Sequence, residues 1–193
     1  VQTEGYGRRV VRTPVREGHP IDPQAVADAL RADTRRDIAA VFFVHTDTAG
    51  GITSDLRAVR EAIDATGHPA LLVVDVVASL AAAPFSMRDD GVDVAVAASQ
   101  KGLMVPPGLG IVAVNERAAA VAAANPAPRF YWDWERRRSE HSYRKFCGTA
   151  PLNLLMGLRA ALGLLFAEGI ERVLARHARL ARAVQAAVAC WGE

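Results

Sequence analysis

Three short runs of almost unbroken aliphatic residues, 39–44, 71–76 and 92–97, constrain this chain more than anything else in it. A half-exposed strand alternates apolar and polar residues. A run that is apolar at every position suits a strand covered on both faces, as in parallel sheets. Parallel neighbours need a long crossover between them, usually a helix. Residues 23–32 read as one helix, with Asp22 as its N-cap and Pro23 at the first helical position. Residues 54–66 read as another, capped by Ser54, with Leu56, Val59 and Ile63 on one face and Gly67 at its end. A further strand is expected at 111–114, and the β-branched run 10–15 adds a short one. Together these predict an α/β layered domain.

In open α/β sheets ligands bind beyond the carboxyl ends of the strands. The polar residues that end the apolar runs are therefore the candidates for chemistry: His45 with the turn 45–51, Asp75, and Lys101. Lys101 is one of two lysines among 23 basic residues, and Gly102, Pro106, Pro107 and Gly108 crowd the backbone after it. A lone amine at the end of a buried strand, once partly desolvated, can form a Schiff base with an aldehyde. The aldehyde it suggests is pyridoxal phosphate. Asp75 lies among Leu71, Leu72, Val73, Val74, Val76 and Val77, where a carboxylate is costly unless paired. Taken alone it reads as a strand-end residue capping the next turn. Taken with Lys101 at the end of another strand, it reads as the carboxylate held against a protonated pyridine nitrogen, the arrangement that makes the ring an electron sink. The turn His45-Thr46-Asp47-Thr48-Ala49-Gly50-Gly51 is by itself an ordinary loop; beside the other two it offers hydroxyls to the same crevice. Thr149, just before a helical segment, reads most simply as an N-cap, and a hydroxyl there is also a common phosphate contact.

The second half changes character. Residues 116–124 suggest a surface helix, and 125–148 are polar, aromatic and irregular. A long helix begins near Ala150 and Pro151 and runs to Glu168; Gly169 separates it from another starting at Ile170. That last segment opposes an arginine-rich face to Val173, Leu174, Leu180 and Val184. Arg136, Arg137 and Arg138 are interleaved with Asp133, Glu135 and Glu140, and the net charge is only +2, so a solvated loop is preferred to a nucleic-acid surface. The stretch 71–85 contains Asp75 and is broken by Pro84, which argues against a membrane helix. Cys147 and Cys190 form no recognisable spacing. With no signal peptide visible, the cytoplasm is the expected compartment. Val1 in place of a methionine predicts a piece of a longer protein.

The order of these motifs resembles the class V aminotransferases of fold-type I, and among them the serine–glyoxylate and alanine–glyoxylate group. The matching elements are His-x-x-Thr-x-Gly at 45–50, Val-Asp-x-Val-x-Ser-Leu around Asp75, Gly91-Val92-Asp93, and Ser-Gln-Lys-Gly-Leu-Met-x-Pro-Pro-Gly-Leu around Lys101. Tyr131-Trp132-Asp133-Trp134 and the stretch from Thr149 through Gly157, Leu158 and Arg159 resemble the serine–glyoxylate members especially. The resemblance implies the large domain of a fold-type I transferase, a mostly parallel sheet with flanking helices, truncated at both ends. Residues 1–148 would be a partial cofactor-binding domain, and 149–193 would be helices leading toward a small C-terminal domain. It further implies a ping-pong transfer of an amino group from a small amino acid, serine or alanine, to a small 2-oxo acid, glyoxylate or pyruvate. Lys101 would form the Schiff base and shuttle the substrate proton, and Asp75 would pair with the ring nitrogen. Thr48 would lie near the ring hydroxyl or phosphate, and Gln100 would contact the phosphate. Thr149 would reach the phosphate in the neighbouring subunit, making the site a property of a homodimer.

Phe146 stands where several members carry tyrosine, which removes one phosphate hydrogen bond. Gly148, just before Thr149, also varies from some relatives. The family's glycine-rich phosphate loop, its ring-stacking aromatic and its substrate-gripping arginine have no counterparts in these 193 residues, which predicts weak retention of pyridoxal phosphate by this segment alone. Two other readings stay open: a related class V lyase or desulfurase, for which Cys147 and Cys190 are poorly placed, and a catalytically silent piece that retains only fold and dimer packing.

Overall fold

The computed structural model describes residues 2–192. The apolar runs form strands β1 (Ala40–Val44), β2 (Leu71–Asp75) and β3 (Val94–Ala98), followed by β4 (Gly110–Val114). The sheet order is β1-β2-β3-β4. The first three strands are parallel, and β4 returns antiparallel beside β3. Its short connection through the lysine loop needs no helical crossover.

The helices in chain order are α1 (Gln2–Gly5), α2 (Pro23–Ala32), α3 (Leu56–Asp64), α4 (Glu116–Ala124), α5 (Trp134–Arg137), α6 (Ser142–Phe146), α7 (Leu152–Glu168) and α8 (Ile170–Cys190). Helix α2 starts as its sequence predicts: Pro23 occupies the first turn and the Asp22 carboxylate accepts the amide of Gln24 at 2.9 Å. Helix α3 corrects the expected cap. Asp55, not Ser54, caps it by accepting the Ala58 amide at 2.9 Å. Ser54 instead accepts the amide of Ile21 at 3.0 Å, tying the end of the β1 loop to the approach to α2. The β-branched run 10–15 also departs from expectation, forming no strand and leaving Val11 and Val15 exposed. Strand preference is realised only beside a partner strand, and this run has none. The segment 125–148, expected to be irregular, contains the short helices α5 and α6 and a 3-10 turn at Phe130–Trp132.

One face of the sheet packs on α2 and α3. Leu72, Val74, Val59 and Ile63 are fully buried there, with Phe43, Ala95, Ala97, Val26, Leu30 and Leu56 around them. Each such aliphatic side chain contributes about 1.5–3 kcal/mol relative to an exposed one. The other face is largely open toward its carboxyl end among the described residues: Phe42 is 73% exposed and Val44 and Val112 nearly half, while Val94 on the same face is buried. The register sets Val44, Asp75, Val96 and Val112 side by side across that face. A second, smaller core joins the helical end to the sheet, where Leu103 packs with Leu165 of α7 and Val173 of α8. The corner between those helices is closed by Arg176, whose guanidinium donates to both oxygens of Glu168 at 2.8 and 2.9 Å. Val173 of the expected apolar stripe is buried, whereas Leu180 and Val184 are exposed. No single described helix is long and apolar enough to cross a membrane.

At the amino edge of the sheet, Asp93 is a buried hub. Its carboxylate accepts the Leu72 amide (2.7 Å), the Asn115 side-chain amide (2.8 Å) and the guanidinium of Arg117 (Nε at 2.9 Å). Burial opposes its charge, but the hydrogen bonds from Arg117, Leu72 and Asn115 outweigh that cost and hold its pKa below the ordinary carboxylate value. The Gly91-Val92-Asp93 motif therefore serves the fold, at the end of the sheet opposite the candidate chemistry.

Candidate active site

The carboxyl edge gathers the other polar strand ends. Val44 is in register with Asp75, and Asp75 with Val96. His45, Asp75 and the segment Ser99-Gln100-Lys101 therefore leave three consecutive, parallel strands on the same side. Asp75 is not enclosed by its aliphatic neighbours as the sequence suggests. Those neighbours alternate across the sheet, and the carboxylate stands on the open face, exposed. One oxygen, Oδ1, accepts the Val77 amide at 2.8 Å. The capping role expected of an isolated strand-end aspartate is thus real, and it orients the carboxylate while leaving Oδ2 without a hydrogen bond among the described residues.

The lysine loop is built around Ser99, which is fully buried. Its amide donates to the Leu109 carbonyl at 3.1 Å, and its carbonyl accepts the Val105 amide at 3.0 Å. Its hydroxyl donates to the Pro106 carbonyl (2.8 Å) and accepts the Leu109 amide (3.3 Å). The Lys101 carbonyl accepts the Met104 amide at 2.9 Å, and Leu103 and Val105 anchor the loop in the core. Gly102 is required by close approach, because a Cβ there would stand 2.2 Å from the Leu80 carbonyl oxygen. On this fixed backbone Gln100 and Lys101 are exposed. The Lys101 amine makes no hydrogen bond or ion pair among the described residues. The partial desolvation expected of it is absent among the described residues, where the Lys101 side chain is exposed. Ser99→Ala is expected to strand the Pro106 carbonyl and lower stability by about 1–3 kcal/mol. A urea unfolding curve checks this, and an unchanged midpoint would rule out Ser99 as the loop's hub.

The turn after β1 is closed by its own side chains. Asp47 Oδ2 accepts the Gly50 amide, its carbonyl accepts the Gly51 amide, and Thr46 Oγ1 lies 2.9 Å from Thr53 Oγ1. Thr48 stands exposed at the tip. His45 turns inward, with Nδ1 2.9 Å from the hydroxyl of buried Ser79 and its ring tilted against Phe85 at 6.2 Å. Burial lowers the imidazole pKa below its ordinary 6.5, against a smaller upward pull from Asp90. The sequence marks His45 with its turn as a strand-end candidate for chemistry and does not show its pairing with Ser79. The available signal was that both residues follow apolar runs by a few positions.

Thr149 is not an N-cap. Helix α7 begins at Leu152 with Pro151 as its boundary residue and no side-chain cap, and Thr149 is exposed two positions earlier. Thr149 makes no hydrogen bond to Asp75, Lys101, Thr48 or Gln100. The start of its helix does lie against the lysine loop: a Cβ on Gly108 would stand 2.6 Å from Leu154 Cδ1, and one on Gly157 would stand 3.5 Å from Val105 Cγ1.

The aminotransferase class-V family model matches residues 2–190. The serine–glyoxylate aminotransferase of Methylorubrum extorquens is 48% identical over 175 residues, covering 88% of this chain and 44% of that protein. The L-aspartate–glyoxylate aminotransferase of Paracoccus denitrificans is 41% identical, with 99% and 48% covered. The crystal structure of pyridoxamine–pyruvate aminotransferase from Mesorhizobium loti superposes with a TM-score of 0.81 at 38% identity, covering 92% of this chain and 45% of that one. The chain thus spans about half the length of the relatives it matches. Matched by the family model along almost its whole length, the chain belongs to the class V aminotransferases.

Proposed function

We propose that this chain carries the cofactor-holding centre of an enzyme that uses pyridoxal phosphate to move an amino group. The donor would be a small amino acid, serine or alanine, and the acceptor a small 2-oxo acid, glyoxylate or pyruvate, in a ping-pong sequence. The observation that carries the reading is the free amine of Lys101 on a fixed loop at the same sheet edge as the oriented carboxylate of Asp75. The named activities of the relatives, serine–glyoxylate, aspartate–glyoxylate and pyridoxamine–pyruvate transfer, support it.

The donor set fits the cofactor: an unpaired amine suits its aldehyde, a carboxylate suits its protonated ring nitrogen, and exposed hydroxyl and amide groups suit its phosphate. When bound, pyridoxal phosphate supplies the electrophilic carbon and the ring that accepts the electron pair left when the substrate loses its α-proton. Lys101 Nζ would hold the cofactor at that carbon and would take and return the substrate proton. Asp75 would hold the ring-nitrogen proton, its carboxylate oriented by the Val77 amide on Oδ1. Thr48 hydrogen-bonds near the ring hydroxyl or phosphate side and Gln100 contacts the phosphate, while Thr149 reaches the phosphate held by the neighbouring subunit of a homodimer. Residues 1–148 then form the cofactor-binding part and 149–193 the helices leading from it, in a cytoplasmic enzyme.

Serine, alanine and aspartate, each offered with glyoxylate or pyruvate to the protein supplied with pyridoxal phosphate, test the reading by chromatography of the amino-acid products. Serine or alanine with glyoxylate is expected to turn over fastest. Turnover no faster than free pyridoxal phosphate for every pair, or sulfide release from cysteine instead, overturns it.

A further inference from the structure

The turn that follows β2 touches both halves of the proposed centre. Its Val77 amide donates to Asp75 Oδ1, and its Leu80 carbonyl is the atom that forbids a side chain at Gly102, next to Lys101. Ser79 lies between these two contacts and is 1% exposed. Its amide donates to the Val76 carbonyl, and its carbonyl accepts the amides of Ala82 and Ala83 at 2.9 and 2.8 Å. The neighbouring Ala81 has a φ of 61°, a left-handed conformation unfavourable for alanine and one that surrounding contacts must enforce. The Ser79 side chain is anchored from outside the turn, by His45 Nδ1 at 2.9 Å across 34 residues of sequence. His45 is itself fixed on both sides, its amide donating to the Asp75 carbonyl (3.0 Å) and its carbonyl accepting the Ser54 amide (2.9 Å).

We propose that the buried His45–Ser79 hydrogen bond is a positioning device that sets the turn 76–81, and through it holds the Asp75 carboxylate and the Lys101 backbone in one fixed relation. The inference rests on the reading that Asp75 and Lys101 hold pyridoxal phosphate. Neither His45 nor Ser79 touches the cofactor in this scheme. Both are buried beneath the edge, and the imidazole, kept neutral by its burial, acts only as a hydrogen-bonding strut.

Ser79→Ala removes the bond with little change of volume, His45→Phe removes it with a larger apolar ring, and His45→Asn keeps a hydrogen-bonding atom near the Nδ1 position. Three readouts separate positioning from general support: hydrogen exchange at the Val77 amide, the dissociation constant for pyridoxal phosphate, and the pH midpoint of the bound cofactor's visible absorbance. Loss of one hydrogen bond is expected to speed Val77 exchange and weaken cofactor binding by about tenfold each. The absorbance midpoint moves with it, and the double variant adds little to either single one. His45→Asn restores Val77 exchange toward wild type. The proposal is overturned if Ser79→Ala and His45→Phe leave Val77 exchange and the absorbance midpoint at wild-type values, or if their effects simply add. Lys101→Ala, run in parallel, keeps the two failures apart. Wild-type cofactor affinity and spectrum in that variant defeat the parent reading. Their loss there, with Ser79→Ala unchanged, defeats only the positioning role.

Discussion

Replacing Lys101 by alanine is expected to abolish amino-group transfer, a loss of at least about 10³-fold, because in the proposed function one side chain is both the nucleophile and the proton carrier. The fold should not notice. The side chain is exposed and makes no hydrogen bond or ion pair among the described residues, so stability should stay within about 0.5 kcal/mol of wild type. Borohydride reduction followed by peptide mass spectrometry gives a second readout. The wild-type protein carries the cofactor's mass on the peptide containing Lys101, and the variant carries none. With only two lysines in the chain, the alternative attachment point within it is Lys145, so the result is unambiguous. Full activity in Lys101→Ala, or the adduct on Lys145, would end the assignment.

Asp93→Ala is expected to do the reverse, removing about 3 kcal/mol of stability at neutral pH. The loss strands the Leu72 amide inside the sheet and takes from Arg117 the carboxylate that its guanidinium grips. Against a total of about 5–15 kcal/mol for a domain, that is a large share. Its pH dependence has a defined sign. The folded-state pKa of Asp93 lies below its ordinary 3.8, so the carboxylate stabilises the fold at every pH above that value, and the contribution disappears as pH falls through the depressed folded value. His45 adds an earlier loss of the same sign. Its folded pKa is below 6.5, so acid favours the unfolded chain, where the ring protonates more readily, from about pH 6.5 downward. Urea midpoints measured from about pH 7 to about pH 2 should fall in two stages for the wild type, and the lower stage should be shallower in Asp93→Ala, where Asp33 and Glu168, also held below their ordinary values by hydrogen bonds, still contribute. A variant with a wild-type midpoint and an unchanged acid limb would refute the hub. Asp75→Ala is the control, since it loses only the Val77 bond and should cost about 1 kcal/mol.

The contrast between these aspartates shows where sequence reading works. The strand-end place of Asp75 was legible because it is carried by the apolar run that leads to it. Asp93 looked like one more motif residue, since its partners Leu72, Asn115 and Arg117 lie about twenty positions away in either direction. Helix α2 was readable to the residue because its cap and its proline are local. The cap of α3 was misassigned by one position, because Ser54 and Asp55 are both good caps and the distant Ile21 amide claims the serine. Residues 10–15 have strand-forming side chains but no neighbouring strand to pair with.

By itself the sequence determined the buried strands, the helices between the first of them, and which residues carry an amine and a carboxylate at their ends. Those signals are carried by side chains within a few positions of each other. Only the tertiary structure decided that β4 runs antiparallel, that Asp75 faces the open side of the sheet, and that His45 reaches Ser79 while Asp93 reaches Arg117. Strand register and long-range hydrogen bonds set those features. Register is a property of neighbouring strands, and no local pattern records which neighbour a strand will meet.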